Sequence, residues 1–181
     1  MEYFEKHHER VISVCREQNY TLTPQWIYVS ISRQRLYFYE HNKLEAIFVI
    51  STSLYGVSSL KDSLGTPLGL HKIADKIGDD AVAGMVFIGR KSTGKVYTEY
   101  QDWRFRGYVT TRIIRLKGLE FGKNLGGDCD TYNRYIYIHG VSDESRIGMP
   151  YTHGCIGMLN HEIVHFYKMI KADSLLLIDF Y

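Results

Sequence analysis

The chain lacks most of what would mark it for export, for membranes or for nucleic acid. Its 181 residues hold only three cysteines, Cys15, Cys129 and Cys155, an odd number with no close pairing. They read as reduced thiols and not as a disulfide framework. The net charge is +2 and no Lys/Arg run appears, which removes the usual electrostatic case for a nucleic-acid partner. The first ten residues, Met1 to Arg10, carry several charges and no apolar core. They look like neither a signal peptide nor a transmembrane helix, so no membrane partner and a cytoplasmic location are expected. Repeats, low-complexity tracts and linkers are also missing. One domain is the expectation, large enough for a substantial core.

What is present is mostly β. Residues 3–18 place Phe4, Val11, Ile12 and Cys15 near one helical face, and Cys15 there reads as a small buried hydrophobe. Thr21 to Pro24 breaks that pattern. From Trp26 the period becomes two, with Ile27, Val29 and Ile31 on one side and Trp26, Tyr28 and Ser30 on the other. Further strands are expected at 35–39, 44–51, 70–73, 83–90, 110–116 and 174–180, with turns at 40–43 and 92–95. Residues 101–106 mix aromatic and charged side chains and are expected to border a groove. Asn160 reads as the N-cap of a helix whose apolar face is Ile163, Val164, Phe166, Tyr167 and Ile170. The division expected is a helical extension over 1–24 and a catalytic domain over 25–181.

Chemistry concentrates in Tyr135-Ile136-Tyr137-Ile138-His139-Gly140 and Tyr151-Thr152-His153-Gly154-Cys155-Ile156-Gly157-Met158. The first stretch reads as a buried strand delivering His139 at its end. The second sets Cys155 in a Gly-flanked turn just before the last helix. A thiol needs a base to react near neutral pH, and His139 is the candidate. Gly154 lets the backbone come close to a substrate carbonyl, so N–H groups near Cys155 could face an oxyanion. Cys129, between two Asp residues, reads as incidental.

A rival constellation is His161-Glu162-Ile163-Val164-His165, the His-Glu-x-x-His arrangement in which zinc takes both imidazoles and Glu162 acts as base. It is short, sits at a helix start and has no third ligand at a familiar spacing. A solvent- or groove-facing histidine pair is the expectation, with no metal and no cofactor.

His139-Gly140 followed by Thr152-His153-Gly154-Cys155-Ile156 and Met158 resembles the signature of the L,D-transpeptidase (YkuD-type) catalytic domain. Gly157 departs from it, since the family usually has Arg or Asn there. Ser30 to Tyr39 resembles the family's opening hairpin, and Thr66-Pro67-Leu68-Gly69 its element beside the active-site groove. The run from Gly118 to Asp130, together with Arg134, is similar to a branch without export signals. The resemblance implies a mainly β, single-domain, sandwich or barrel-like mixed sheet with an N-terminal helix and one helix after the cysteine.

The resemblance further implies a thioester mechanism on peptidoglycan stem peptides or muropeptides, cut between the L-centre of diaminopimelate and terminal D-Ala. Cys155 is then the nucleophile and His139 its base, with Gly154, Cys155 and His153 at the oxyanion. The hydroxyl of Thr152 is expected to hold His139 or His153. Arg112, Arg134 and Arg146 are the candidates to hold the substrate carboxylate that a cation at position 157 would otherwise bind. Water as acceptor makes an L,D-carboxypeptidase, the favoured expectation for a cytoplasmic protein. A stem-peptide amine makes a cross-linking L,D-transpeptidase. A muropeptide-binding module without turnover is a further alternative. No oligomeric state is assigned.

Overall fold

A computed structural model describes residues 2–98 and 107–181; the 101–106 stretch expected to border a groove lies outside them. Among the described residues the order is α1 (Glu2–Glu17), β1 (Gln25–Ser30), β2 (Arg35–Glu40), β3 (Lys43–Ser51), β4 (Gly69–Ile77), β5 (Met85–Ile88), β6 (Lys91–Val96), β7 (Val109–Gly118), β8 (Tyr137–Val141), β9 (Ile156–Met158), α2 (Asn160–Met169) and β10 (Leu175–Asp179). The strands run β4-β10-β1-β2-β3-β9-β8-β7, and β4 pairs back onto β7, which closes the sheet on itself. The β5–β6 hairpin hangs from the first residues of β7. Two pairings are parallel, β1 with β10 and β8 with β9. The fold is therefore a mainly β, closed mixed sheet, as expected.

Period-two alternation in β1, β2 and β10 explains why both faces of this region are buried. Ile27, Val29, Leu36, Phe38, Leu176 and Ile178 point inward and meet Ile163, Phe166 and Tyr167 of α2 and Ile170 just after it. Trp26, Tyr28, Tyr37, Tyr39, Leu175 and Leu177 point outward, where Val11, Val14 and Cys15 of α1 cover them. None of the helices among the described residues is long and apolar enough to cross a membrane.

Several local expectations are corrected. Residues 92–95 belong to β6; the turn is Gly89-Arg90, with φ of 55° and 69° at its two positions. Positive φ at both is the type I′ geometry that matches strand twist, and Arg at its second position hid it. β8 begins at Tyr137, because Tyr135 has φ of 59°, and His139 is its central residue, not its last. A three-residue strand, β9, separates Cys155 from α2, since Ile138 and Ile156 pair across the sheet. The N-cap of α2 is Leu159, and Asn160 is the first helical residue, its side chain drawn away by tertiary partners.

Candidate active site

The turn carrying Cys155 is fixed by its own backbone. Gly154 has φ of 115°, and an added Cβ would stand 3.0 Å from Ile136 Cδ1 and 3.1 Å from the Gly65 carbonyl. Only glycine fits that conformation in that space. Thr66 Oγ1 donates to the Gly154 carbonyl at 3.0 Å, and Thr152 Oγ1 donates to the Cys155 carbonyl at 2.6 Å. Both carbonyls are thereby tied, while the N–H groups of Gly154 and Cys155 have no partner among the described residues. That is an arrangement able to receive an oxyanion. Thr152 thus holds the turn, and not His139 or His153 as expected. Thr66 belongs to the Thr-Pro-x-Gly element that the resemblance sets beside the groove, and it holds the residue before Cys155.

Cys155 is half-buried. Its Sγ lies 3.4 Å from both the Tyr135 carbonyl and the Tyr137 N–H, against Phe87, Ile113 and Tyr137. Burial pushes the thiol up to about 11, opposed by the Tyr137 N–H and by the Arg134 charge. His139 is buried (6% exposed), and its pKa is lowered by that burial, opposed by a bond to the Gly140 carbonyl. That carbonyl accepts from Nδ1 at 2.7 Å. A carbonyl only accepts, so Nδ1 carries the proton and Nε2 keeps the lone pair of a base. The group orienting His139 is therefore a main-chain oxygen. No hydrogen bond joins His139 to Cys155, a looseness common before substrate arrives.

Both residues line one cavity of about 720 Å³, with Leu54, Tyr108, Arg146 and Tyr151 among its walls. A second cavity of about 380 Å³ is lined by Asp62, Asp128, Arg134, Tyr135 and His153. His153 is exposed, lines both cavities and packs at 5.7 Å from the Tyr55 ring. The three candidate arginines part company. Arg146 faces the main cavity with its guanidinium over the Tyr151 ring at 4.7 Å. Arg134 lines the second cavity and donates to the Ser58 and Gly65 carbonyls and to Ser63 Oγ, stapling the 52–66 loop. Burial lowers its pKa, opposed by the nearby Cys155. Arg112 reaches neither cavity: its guanidinium donates to the Ala81, Thr111 and Asp79 carbonyls.

Gly157, the departing position, pairs with His139 across β8–β9. A Cβ there would stand 2.8 Å from Val141 Cγ1, so Val141 fills the space a longer side chain would need. The His-Glu-x-x-His string sits on the first turns of α2 with His161 and His165 both exposed. The apolar residues of the same helix, Ile163 and Phe166, face the core. Among the described residues no three of His, Cys, Asp or Glu gather as metal ligands.

The family model of the L,D-transpeptidase catalytic domain matches residues 24–178. No curated protein matches. Among solved structures, an L,D-transpeptidase from Mycobacterium smegmatis aligns with a TM-score of 0.52 at 14% identity, covering 86% of this chain and 58% of the other. L,D-transpeptidase 3 from Mycobacterium tuberculosis, solved with a faropenem-derived adduct, aligns with a TM-score of 0.54 at 13% identity, covering 86% and 60%. The C442S mutant of the Enterococcus faecium L,D-transpeptidase gives 0.52 at 14%, covering 87% and 50%. The chain thus spans half to three-fifths of the length of these solved chains, and at such identity they share its fold. On the family match over residues 24–178, the chain belongs to the L,D-transpeptidase catalytic domain family.

Proposed function

We propose that this protein is a cysteine acyl-transfer enzyme acting on peptidoglycan stem peptides, removing terminal D-Ala as an L,D-carboxypeptidase in cytoplasmic wall recycling. One observation carries the chemistry: His139 holds its Nδ1 proton on the Gly140 carbonyl and lines, with Cys155, the same cavity. In the first half-reaction Nε2 of His139 takes the thiol proton as Sγ attacks the peptide carbonyl carbon. The Gly154 and Cys155 N–H groups, with His153 at the rim, receive the oxyanion. The C–N bond then breaks and His139 returns the proton to the departing amine, leaving a thioester. In the second half, water gives its proton to His139 and its oxygen to the acyl carbon. The C–S bond breaks and the thiolate takes the proton back.

Burial pushes the Cys155 thiol up to about 11 and the His139 imidazole down, so proton transfer between them in the resting state is uphill. Transfer therefore has to accompany attack, with the developing oxyanion supplying the stabilisation. A cavity of about 720 Å³ has room for water beside an acyl peptide, which supports hydrolysis. Asp62 and Asp128 in the second cavity would suit a cationic amine, and this favours cross-linking as the second reading.

The test is mass spectrometry of a stem tetrapeptide incubated with wild type and with Cys155→Ala, each with and without EDTA. Loss of one D-Ala by wild type alone, indifferent to EDTA, is the expected result. A joined peptide dimer selects the second reading. Turnover that survives Cys155→Ala and stops in EDTA overturns the thiol mechanism in favour of His161, Glu162 and His165, and binding without product in any tube overturns it in favour of a binding module.

A further inference from the structure

We propose that Asn160, on α2, is the positioning residue for His139. The two are on different elements and make no direct bond; what joins them is the peptide at Gly140. The Asn160 side chain is buried (8% exposed) and its amide is fully used. Nδ2 donates to the Val141 carbonyl at 2.8 Å and to Glu144 Oε1 at 2.9 Å. Oδ1 accepts from Thr110 Oγ1 at 2.7 Å and from Thr111 Oγ1. The amide cannot be turned over, because the Val141 carbonyl requires a donor.

Two of these partners, Thr110 and Val141, flank Gly140. A Cβ added to Gly140 would stand 2.6 Å from Asn160 Oδ1 and 2.9 Å from the Thr110 carbonyl, so the amide lies directly against this peptide. Thr110 pairs with Gly140 across β7–β8, and Val141 follows it in the chain. The carbonyl of Gly140 is the group that holds His139 Nδ1. Asn160 therefore holds β8 at Val141, one residue beyond the oxygen that sets the tautomer and tilt of the imidazole, and holds the β7 threonines that face Gly140 from the other side.

A second observation points the same way. The β7–β8 register slips between Thr110 and Ile113, and Thr111 has φ of 65°. A β-branched residue in that region is strained and needs its surroundings to hold it. Thr111 Oγ1 is held by Asn160 and also accepts from the Gly84 N–H at 2.8 Å. The slip is what brings both threonine hydroxyls to one oxygen. Glu144 extends the grip, since its Oε1 also accepts the Asn160 backbone N–H at 2.5 Å, tying the turn that carries Arg146 to the same point.

The test reads the imidazole directly by nitrogen NMR of histidine-labelled protein, with His139 assigned through His139→Gln. Wild type shows one Nδ1–H tautomer above the acid titration. Asn160→Ala, with a cooperative melt, shows mixed tautomers at His139, while His71 stays unchanged. Turnover, which rests on the reading above, falls about 10- to 100-fold in kcat with KM within threefold. Asn160→Asp keeps the oxygen that receives the threonines but loses the donor to Val141, and gives an intermediate tautomer ratio. If Asn160→Ala does not fold, Asn160→Asp and Thr110→Val carry the comparison. A single Nδ1–H tautomer in the folded variants overturns the proposal. A tautomer change in a protein that turns over no stem peptide leaves Asn160 in its role and removes the proposed function instead.

Discussion

His7 on the α1 face and His139 in the active-site cavity are both buried histidines, each 6% exposed, with pKa values lowered chiefly by that burial. Their surroundings differ. His7 is stacked on Tyr28 at 3.9 Å, edges against Tyr37 and binds the Tyr39 hydroxyl at 2.7 Å. It is part of the packing that fixes α1 to the sheet. His139 has one nitrogen tied to a carbonyl and the other side of its ring at a cavity shared with a thiol. Burial alone, or a lowered pKa alone, does not separate a packed histidine from a base. What separates them is a ring nitrogen with no hydrogen-bond partner among the described residues, at a cavity that also holds a thiol.

The largest expected effect tests that distinction. His139→Ala should lower kcat by about 10²- to 10⁴-fold, the range for losing a general base, while a urea melt changes little. His7→Ala should do the reverse. Because His139 must be neutral to accept a proton and its pKa is lowered, kcat/KM should fall with acid only below 6.5. A pH-independent kcat/KM down to pH 4 would break the comparison.

The next effect is on stability. His7 and His71 are each pulled down to about 4, mainly by burial, with Arg33 and Lys123 adding to it and Asp179 and the Gly69 carbonyl opposing. In the unfolded chain both titrate near 6.5, so between 6.5 and 4 the unfolded state binds more protons. Stability is then full above 6.5 and is lost as pH falls toward 4, by about 3 kcal/mol at most for each group. Replacing His71 by Asn should shrink the difference in unfolding free energy between pH 7.5 and pH 4 relative to wild type. An unchanged difference would show that the sealed histidines do not govern acid stability.

The same division explains what was legible beforehand. The helix over residues 3–18 and the alternation of Trp26 to Ile31 were readable because burial on both faces follows a local period. His139, Gly154 and Cys155 stood out because a thiol, imidazoles and glycines cluster within short stretches. Sheet closure was not readable: β1–β10 and β8–β9 join segments far apart, and nothing local marks their register. Asn160 shows the limit most clearly. Its local preference pointed to a helix N-cap, but the N-cap is Leu159, and the Asn160 side chain is taken by Thr110, Thr111, Val141 and Glu144, which tertiary structure brings to it.

The smallest effect separates two arginines that sequence alone treated alike. Arg112 is 6% exposed and satisfies three carbonyls, with the Tyr167 ring 5.6 Å from its guanidinium. Arg112→Ala leaves those acceptors without a donor and should cost about 2 kcal/mol of stability, with KM unchanged. Arg146 is exposed at the wall of the main cavity, and its guanidinium has no hydrogen-bond partner among the described residues. Arg146→Ala should raise KM about tenfold for a peptide with a free C-terminal carboxylate, as expected for one charge-assisted contact of about 1.4 kcal/mol. The same variant should not affect a C-terminally amidated peptide. Equal KM changes for the two peptides would show that Arg146 shapes the cavity without reading the carboxylate. A KM change in Arg112→Ala would show that the β4–β5 loop, and not the cavity wall, sets substrate affinity.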